Sequence, residues 1–333
     1  MLGTIGKALG GAAEVVRDRV VASTRGLFAH APDPLARTLE FLGDPGLFGP
    51  GSATWRVVGD PAVFVGGLRA LLVQAAHPEV VAGVSDHSRY RDDPLGRLSR
   101  TSSYVTATAF GAMPEVDDAI AAVRHAHVPV RGTSHRGRDY TASTPVFAAW
   151  VHNTLTEAFL VAYQTYSATP LDPAEADRYV AEQTRVGALL GADPMPTTAV
   201  ELSRWVNEHP DLAPSPGQRE AIRFLRNPPL PPLVRVAYVF VFWAAAATLE
   251  PQMRARLGIR ILPGGVLVGK AMVGFLRWSL GYSPAWHVAL VRSGAPVPPG
   301  RFREPITTRF VGADACGADA PGVGATEAEP TVG

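Results

Sequence analysis

A capping residue followed by proline recurs along this chain, at Asp33-Pro34, Asp60-Pro61, Asp93-Pro94, Thr144-Pro145, Asp172-Pro173 and Ser215-Pro216. The side-chain oxygen can accept from the unpaired N–H groups of a first helical turn. Proline loses nothing at the first helical position, because its missing N–H has no partner there. Met113-Pro114 lacks the cap but carries Glu115, Asp117 and Asp118 in the following turn, where carboxylates complement the helix dipole. So regular a set of helix starts points to an all-α, multi-helix bundle. Helices are expected near 11–30, 34–42, 61–76, 94–109, 114–130, 145–166, 173–190, 198–208, 216–226, 232–249, 251–257 and 264–280. Trp55-Arg56-Val57-Val58 is the one short strand candidate, and no longer run alternates convincingly.

The segment Pro61 to Ala76 is apolar nearly all round, as expected of a helix buried on most sides, and it ends at His77-Pro78. Pro232–Leu249 and Gly264–Leu280 read similarly, as a central layer or as walls around a large apolar ligand. With short connections and no internal repeat, residues 1–310 read as a single all-helical domain. The Gly-, Ala-, Asp- and Glu-rich stretch 311–333 reads as a disordered tail.

Charge excludes some functions. With 31 basic and 30 acidic residues the formal net charge is +1, so no nucleic-acid partner is indicated. The lone cysteine, Cys316, excludes an intramolecular disulfide framework and a multi-cysteine metal site. The first residues have no long apolar core and no twin arginine, and their acidic residues argue against a transit peptide, so a cytoplasmic location is expected. The longest apolar run, Val236 to Leu249, falls short of the ~20 residues a membrane span needs. The other reading of that run is contact with a bilayer surface.

Chemistry concentrates between Asp93 and Tyr166. After Pro94, the residues Arg97, Arg100, Thr101, Tyr104 and Thr108 share one helix face. That face is either solvated or a polar rim over a cofactor or substrate. After Pro114, His127 falls on the apolar stripe of Val116, Ile120, Val123 and Val130, whereas His125 points away. After Pro145, His152 shares a face with Leu155, Thr156, Phe159 and Tyr163. A histidine on an apolar face is either a hydrogen-bonded core residue or a ligand, and spacing leaves both open. His77, before a proline, reads as a structural hydrogen-bonder, while His30, His135, His209 and His287 attract no particular role. No H-E-x-x-H, G-x-S-x-G, P-loop or G-x-G-x-x-G motif is present, and the apolar segments hold too few carboxylates for a di-iron bundle.

The segments G-L-R-A-L-L-V-Q-A-A-H-P, V-A-G-V-S-D-H-S-R-Y-R-D-D-P-L-G-R-L-S-R-T, V-R-H-A-H-V-P-V-R-G-T and Y-T-A-S-T-P-V-F-A-A-W-V-H-N-T-L occur in this order between Gly51 and Gly258. Together they resemble the rubber-oxygenase catalytic-domain family, which includes latex-clearing proteins and the fungal oxygenase of mycophenolic acid biosynthesis. The resemblance implies an all-α fold around a haem b. It makes His127 the iron ligand, with His152 as the second candidate. Arg97-Leu98-Ser99-Arg100-Thr101 matches the family's R-x-x-K-T element, with Arg100 in place of the lysine. A guanidinium has no lone pair for iron, so the sixth position is expected to hold water or stand open. Glu79 is the only glutamate between His77 and Arg97, and none clearly matches the acid/base residue of latex cleavage. The implied function is a haem b-dependent oxygenase using dioxygen on an apolar unsaturated isoprenoid or lipid, by oxidative C=C cleavage. Arg97, Arg100 and Thr101 are then its catalytic or propionate-binding residues. The alternatives are a non-enzymatic haem-binding or gas-sensing protein, and a metal-free lipid-binding protein at a membrane surface.

Overall fold

Fourteen α-helices and one two-stranded hairpin are found among the described residues, which are 2–261 and 263–302 of a computed structural model. The tail at 311–333 lies outside them. In chain order the helices are α1 (Leu2–Phe28), α2 (Ala53–Val58), α3 (Val63–Gln74), α4 (Pro78–His87), α5 (Pro94–Phe110), α6 (Met113–His127) and α7 (Pro145–Tyr166). The rest are α8 (Pro173–Leu190), α9 (Ala199–Asn207), α10 (Pro216–Arg226), α11 (Pro232–Ala247), α12 (Pro251–Leu257), α13 (Gly265–Leu280) and α14 (Pro284–Arg292). The fold is all-α, as the helix-start signals indicated.

Local chemistry explains most of the helix starts. Asp93, Asp172 and Ser215 each accept a backbone N–H three residues on, from Gly96, Glu175 and Gln218, ahead of prolines at the first helical position. Several segments depart from the sequence reading, among them α14 and the hairpin, neither of which it anticipated. The strand candidate at Trp55–Val58 is helical, because Ser52 caps it by accepting from the Trp55 N–H. Pro78 opens α4 as well as ending the run before it. The expected helix at 34–42 shrinks to a 3-10 turn, Thr38–Phe41. The hairpin pairs β1 (Arg131–Thr133) with β2 (Asp139–Thr141) in antiparallel register, Gly132 opposite Tyr140, and it packs on α4.

At the centre, α3 lies along α7, the most extensive helix pairing among the described residues. Gly66 permits this approach, since a Cβ there would stand 2.7 Å from Cδ1 of Phe159 and 3.0 Å from its Cα. Inside the interface Arg69 pairs with Glu157 through both terminal guanidinium nitrogens. On the other side of α3 lies α11, which α13 covers in turn. Arg277 of α13 grips the Asp60 carboxylate with two bonds of 2.8 Å and donates to the Tyr166 carbonyl at 2.9 Å. Arg292 of α14 is buried and tied to Thr38, Asp44 and the Phe110 carbonyl. Of the three nearly all-apolar segments, α3 sits in the core. By contrast α11 and α13 leave Val236, Val239, Phe240, Leu267, Phe275 and Trp278 exposed. No described helix is long and apolar enough to cross a membrane.

Candidate functional site

On α5 the polar face divides by burial. Arg97 is half-buried, its guanidinium 5.7 Å from the centre of the Tyr90 ring, and it has no carboxylate partner among the described residues. Burial and the nearby Arg100 lower its pKa, while Tyr90 acts in the opposite direction. Arg100 is exposed and paired with Asp93 at 3.2 Å. Thr101 is exposed, its hydroxyl folded back onto the Arg97 carbonyl at 3.0 Å. One turn further in, the Tyr104 hydroxyl is buried without a hydrogen-bond partner, and burial raises its pKa well above the ordinary tyrosine value. Thr108 returns its hydroxyl to the Tyr104 carbonyl at 2.9 Å.

The two-residue link Gly111–Ala112 turns the chain so that α6 packs back on α5. The last turn of α6, which carries His127, therefore lies at the end of this hairpin away from the link. That is also the end where α5 begins with Arg97. His127 is half-buried and its pKa is lowered by burial; neither ring nitrogen has a hydrogen-bond partner among the described residues. His125 is exposed. The backbone at His127 is held, with its carbonyl accepting from Val130 N at 3.1 Å and from the Ser143 hydroxyl at 3.4 Å.

His152 of α7 is fully enclosed. Its Nε2 lies 2.9 Å from the Gln183 carbonyl, an acceptor only, so Nε2 carries the proton and Nδ1 the lone pair. Burial lowers its pKa to about 4, so the ring is neutral at pH 7. Gln183 in turn donates to Thr54 at 2.9 Å, which joins α2, α7 and α8 at this point. Between His152, Thr156 and Phe159 on one side and Tyr104 and Thr108 on the other lies a narrow cleft of about 20 Å³, room for about one water molecule. The inner part of the α5 face, Tyr104 and Thr108, thus meets the α7 face there, whereas Arg97, Arg100, Thr101 and His127 do not line the cleft. That volume is far below the roughly 300–1,000 Å³ of ligand pockets. A porphyrin reaching His152 would need α5 and α7 to part.

The opposite face of α7 borders a group of residues that sequence reasoning missed. His77 lies against Phe147, Trp150 and His209, with ring centres 5.4–5.6 Å apart. Nearby Glu79 accepts from the Ser134 hydroxyl at 2.8 Å and from Arg136 Nε at 3.0 Å. Burial pushes the Glu79 pKa up, but these bonds outweigh it and the net shift is downward, so Glu79 is ionised at pH 7. His77, His209 and Asp211 offer ligand atoms within 4.8 Å of one another. The available signal was the pair of His-Pro dipeptides, His77-Pro78 and His209-Pro210.

The model of the family described as ER-bound oxygenase mpaB/B'/rubber oxygenase, catalytic domain, matches residues 55–278, more than half of the chain. The search of curated proteins and the search of solved structures each found no match.

Proposed function

This chain belongs to the mpaB and rubber-oxygenase catalytic-domain family, and on that premise we propose that it is a haem b-dependent oxygenase acting with dioxygen on an apolar, unsaturated isoprenoid or lipid. The observation that carries the reading is the unpaired, desolvated Arg97 guanidinium at the same end of the α5–α6 hairpin as the unengaged imidazole of His127. A half-buried cation with no carboxylate is suited to a ligand's own carboxylate, and haem carries two as propionates. A neutral imidazole with a free nitrogen suits iron.

In this reading His127 ligates the iron and Arg97 binds a propionate. When bound, the haem would supply dioxygen activation for cleavage of a carbon–carbon double bond. Tyr104 presents a buried hydroxyl free to donate toward a polar atom in the cleft. Val58, Val105, Leu155, Phe159 and Val186 make the cleft walls apolar and keep water away. His152, with its proton committed to Gln183, orients the wall and serves as the alternative ligand through Nδ1. Arg100 and Thr101 stand at the exposed end of α5 and, in this reading, would meet the second propionate or the incoming substrate. An apolar substrate could arrive across the exposed face of α11 and α13, which would make the protein peripheral to a membrane.

Hemin titration of the purified protein tests the reading. A Soret band lost in His127→Ala and kept in His125→Ala is expected, with oxygen uptake in the presence of unsaturated terpenoids. Loss in His152→Ala with retention in His127→Ala moves the ligand to α7. A protein that stays colourless ends the proposal. A second reading, haem binding without turnover, is favoured by the narrowness of the cleft, and a Soret band without oxygen uptake would select it.

A further inference from the structure

His77 closes the turn between α3 and α4 with its side chain 1% exposed, and neither ring nitrogen makes a hydrogen bond. A neutral imidazole has one donor and one acceptor nitrogen, and leaving such groups unpaired in the interior costs about 1–3 kcal/mol each. Oε2 of Glu79 is 3.3 Å from Nδ1 and already engaged by Arg136. Around this ring the chain brings up a second imidazole and a further carboxylate from the loop between α9 and α10.

We propose that His77, His209 and Asp211 bind one first-row divalent metal ion of the zinc class, at a site separate from the α5–α7 cleft. Two imidazoles and one carboxylate are a common donor set for such ions. Glu79, its Oε2 3.3 Å from Nδ1 of His77, would complete a carboxylate–histidine–metal arrangement by accepting from Nδ1 and leaving Nε2 for the ion. Ligand atoms 2.0–2.2 Å from a tetrahedral ion stand about 3.4 Å apart. The three ligand atoms now lie within 4.8 Å of one another, and Asp211, only half-buried, has room to turn toward the ion. One Asp211 oxygen accepts from Arg138 at 2.6 Å, leaving the other available. Nδ1 of His209 receives a long 3.3 Å contact from the Asp211 N–H, which a metal would displace or leave by taking Nε2. Burial keeps both imidazoles neutral at pH 7, the state in which they ligate. Asp211 and Glu79 are balanced by Arg136 and Arg138, so the ion adds the only net charge. A cleft lined by Trp205, Glu208 and Pro210 reaches His209 from solvent and gives the ion a path. Once bound, the ion would pin the His77 turn to the 209–211 loop, already joined by the Ala213 N–H to Ala76 carbonyl bond of 3.2 Å.

Equilibrium dialysis of chelator-treated full-length protein against Zn(II), without haem, tests this. One equivalent of zinc bound at micromolar or tighter affinity is expected, with a visible ligand-field band when Co(II) replaces it. Loss of even an outer partner lowers metal affinity by about 10–100-fold. His209→Ala and Asp211→Asn should therefore weaken zinc binding by at least about 100-fold, and His125→Ala should leave it unchanged. Asp211→Asn alters one half-exposed side chain, and circular dichroism checks that the helices persist. A wild-type protein that binds no zinc, or folded His209 and Asp211 variants that bind it as tightly as wild type, overturns the site.

Discussion

Arg69 and Glu157 form a two-point ion pair within the α3–α7 interface, 1% and 3% exposed, with Nη2 of the arginine 2.7 Å from Oε1 of the glutamate. Desolvating both charges costs much of what their attraction returns, so the pair adds little net stability. Its effect is on alignment, because only one axial offset of α3 against α7 lets both charges meet. Removing one partner strands the other. Arg69→Met or Glu157→Met alone is expected to lower unfolding free energy by about 3–5 kcal/mol, whereas the double variant recovers most of the loss. Urea unfolding of the four proteins measures this, and additive losses in the double variant would contradict it.

Arg97 should behave in the opposite way. Its charge is desolvated and has no carboxylate among the described residues, so Arg97→Leu should leave the melting temperature unchanged or raise it. A hydrogen bond to a charged group contributes about 1.5–3 kcal/mol, so hemin affinity should fall roughly 10- to 100-fold. Thermal unfolding beside hemin titration separates the two effects. A destabilised variant with unaltered hemin affinity would make Arg97 structural.

Buried neutral histidines set an acid limit on stability. His77 and His152 have pKa values lowered by burial to about 4, against 6.5 in an unfolded chain. Between those values the unfolded chain takes up protons that the folded one refuses. Stability contributed by these groups is therefore full above about pH 6.5, declines as pH falls toward 4 and is level below that. Each contributes on the order of 3 kcal/mol across the window. Urea midpoints between pH 7 and 4.5 should drop, and His152→Gln should flatten the decline. An equal slope in that variant would remove His152 from the account.

The exposed apolar side chains of α11 and α13 should meet an anionic bilayer. Leu267 is 72% exposed, and Val236, Phe240, Phe275 and Trp278 are exposed beside it on the same two helices. Glu250 is the only acidic residue between 221 and 302, whereas Arg223, Arg226, Arg235, Arg260 and Lys270 are exposed and basic. Cosedimentation with phosphatidylserine-containing vesicles is expected, weakening with salt and in a Phe240→Ser/Trp278→Ser variant. Equal recovery with neutral vesicles would refute the electrostatic part.

By itself the sequence determined where most helices begin, because a cap at Asp93, Asp172 or Ser215 bonds to an N–H only three residues away and needs nothing from the rest of the chain. The family was also legible, since it rests on ordered segments. Only the tertiary structure decided which polar groups lose their water. The α5 face reads uniformly polar, yet packing buries the Tyr104 hydroxyl, half-buries Arg97 and leaves Arg100 and Thr101 in solvent. Asp60-Pro61 looks like any other cap, but its carboxylate is drawn to Arg277, 217 residues away. His77 and His209 meet only because α3, α7 and α9 pack together. No spacing encodes that meeting, for burial and proximity belong to pairs of elements and not to the stretch of chain that carries each residue.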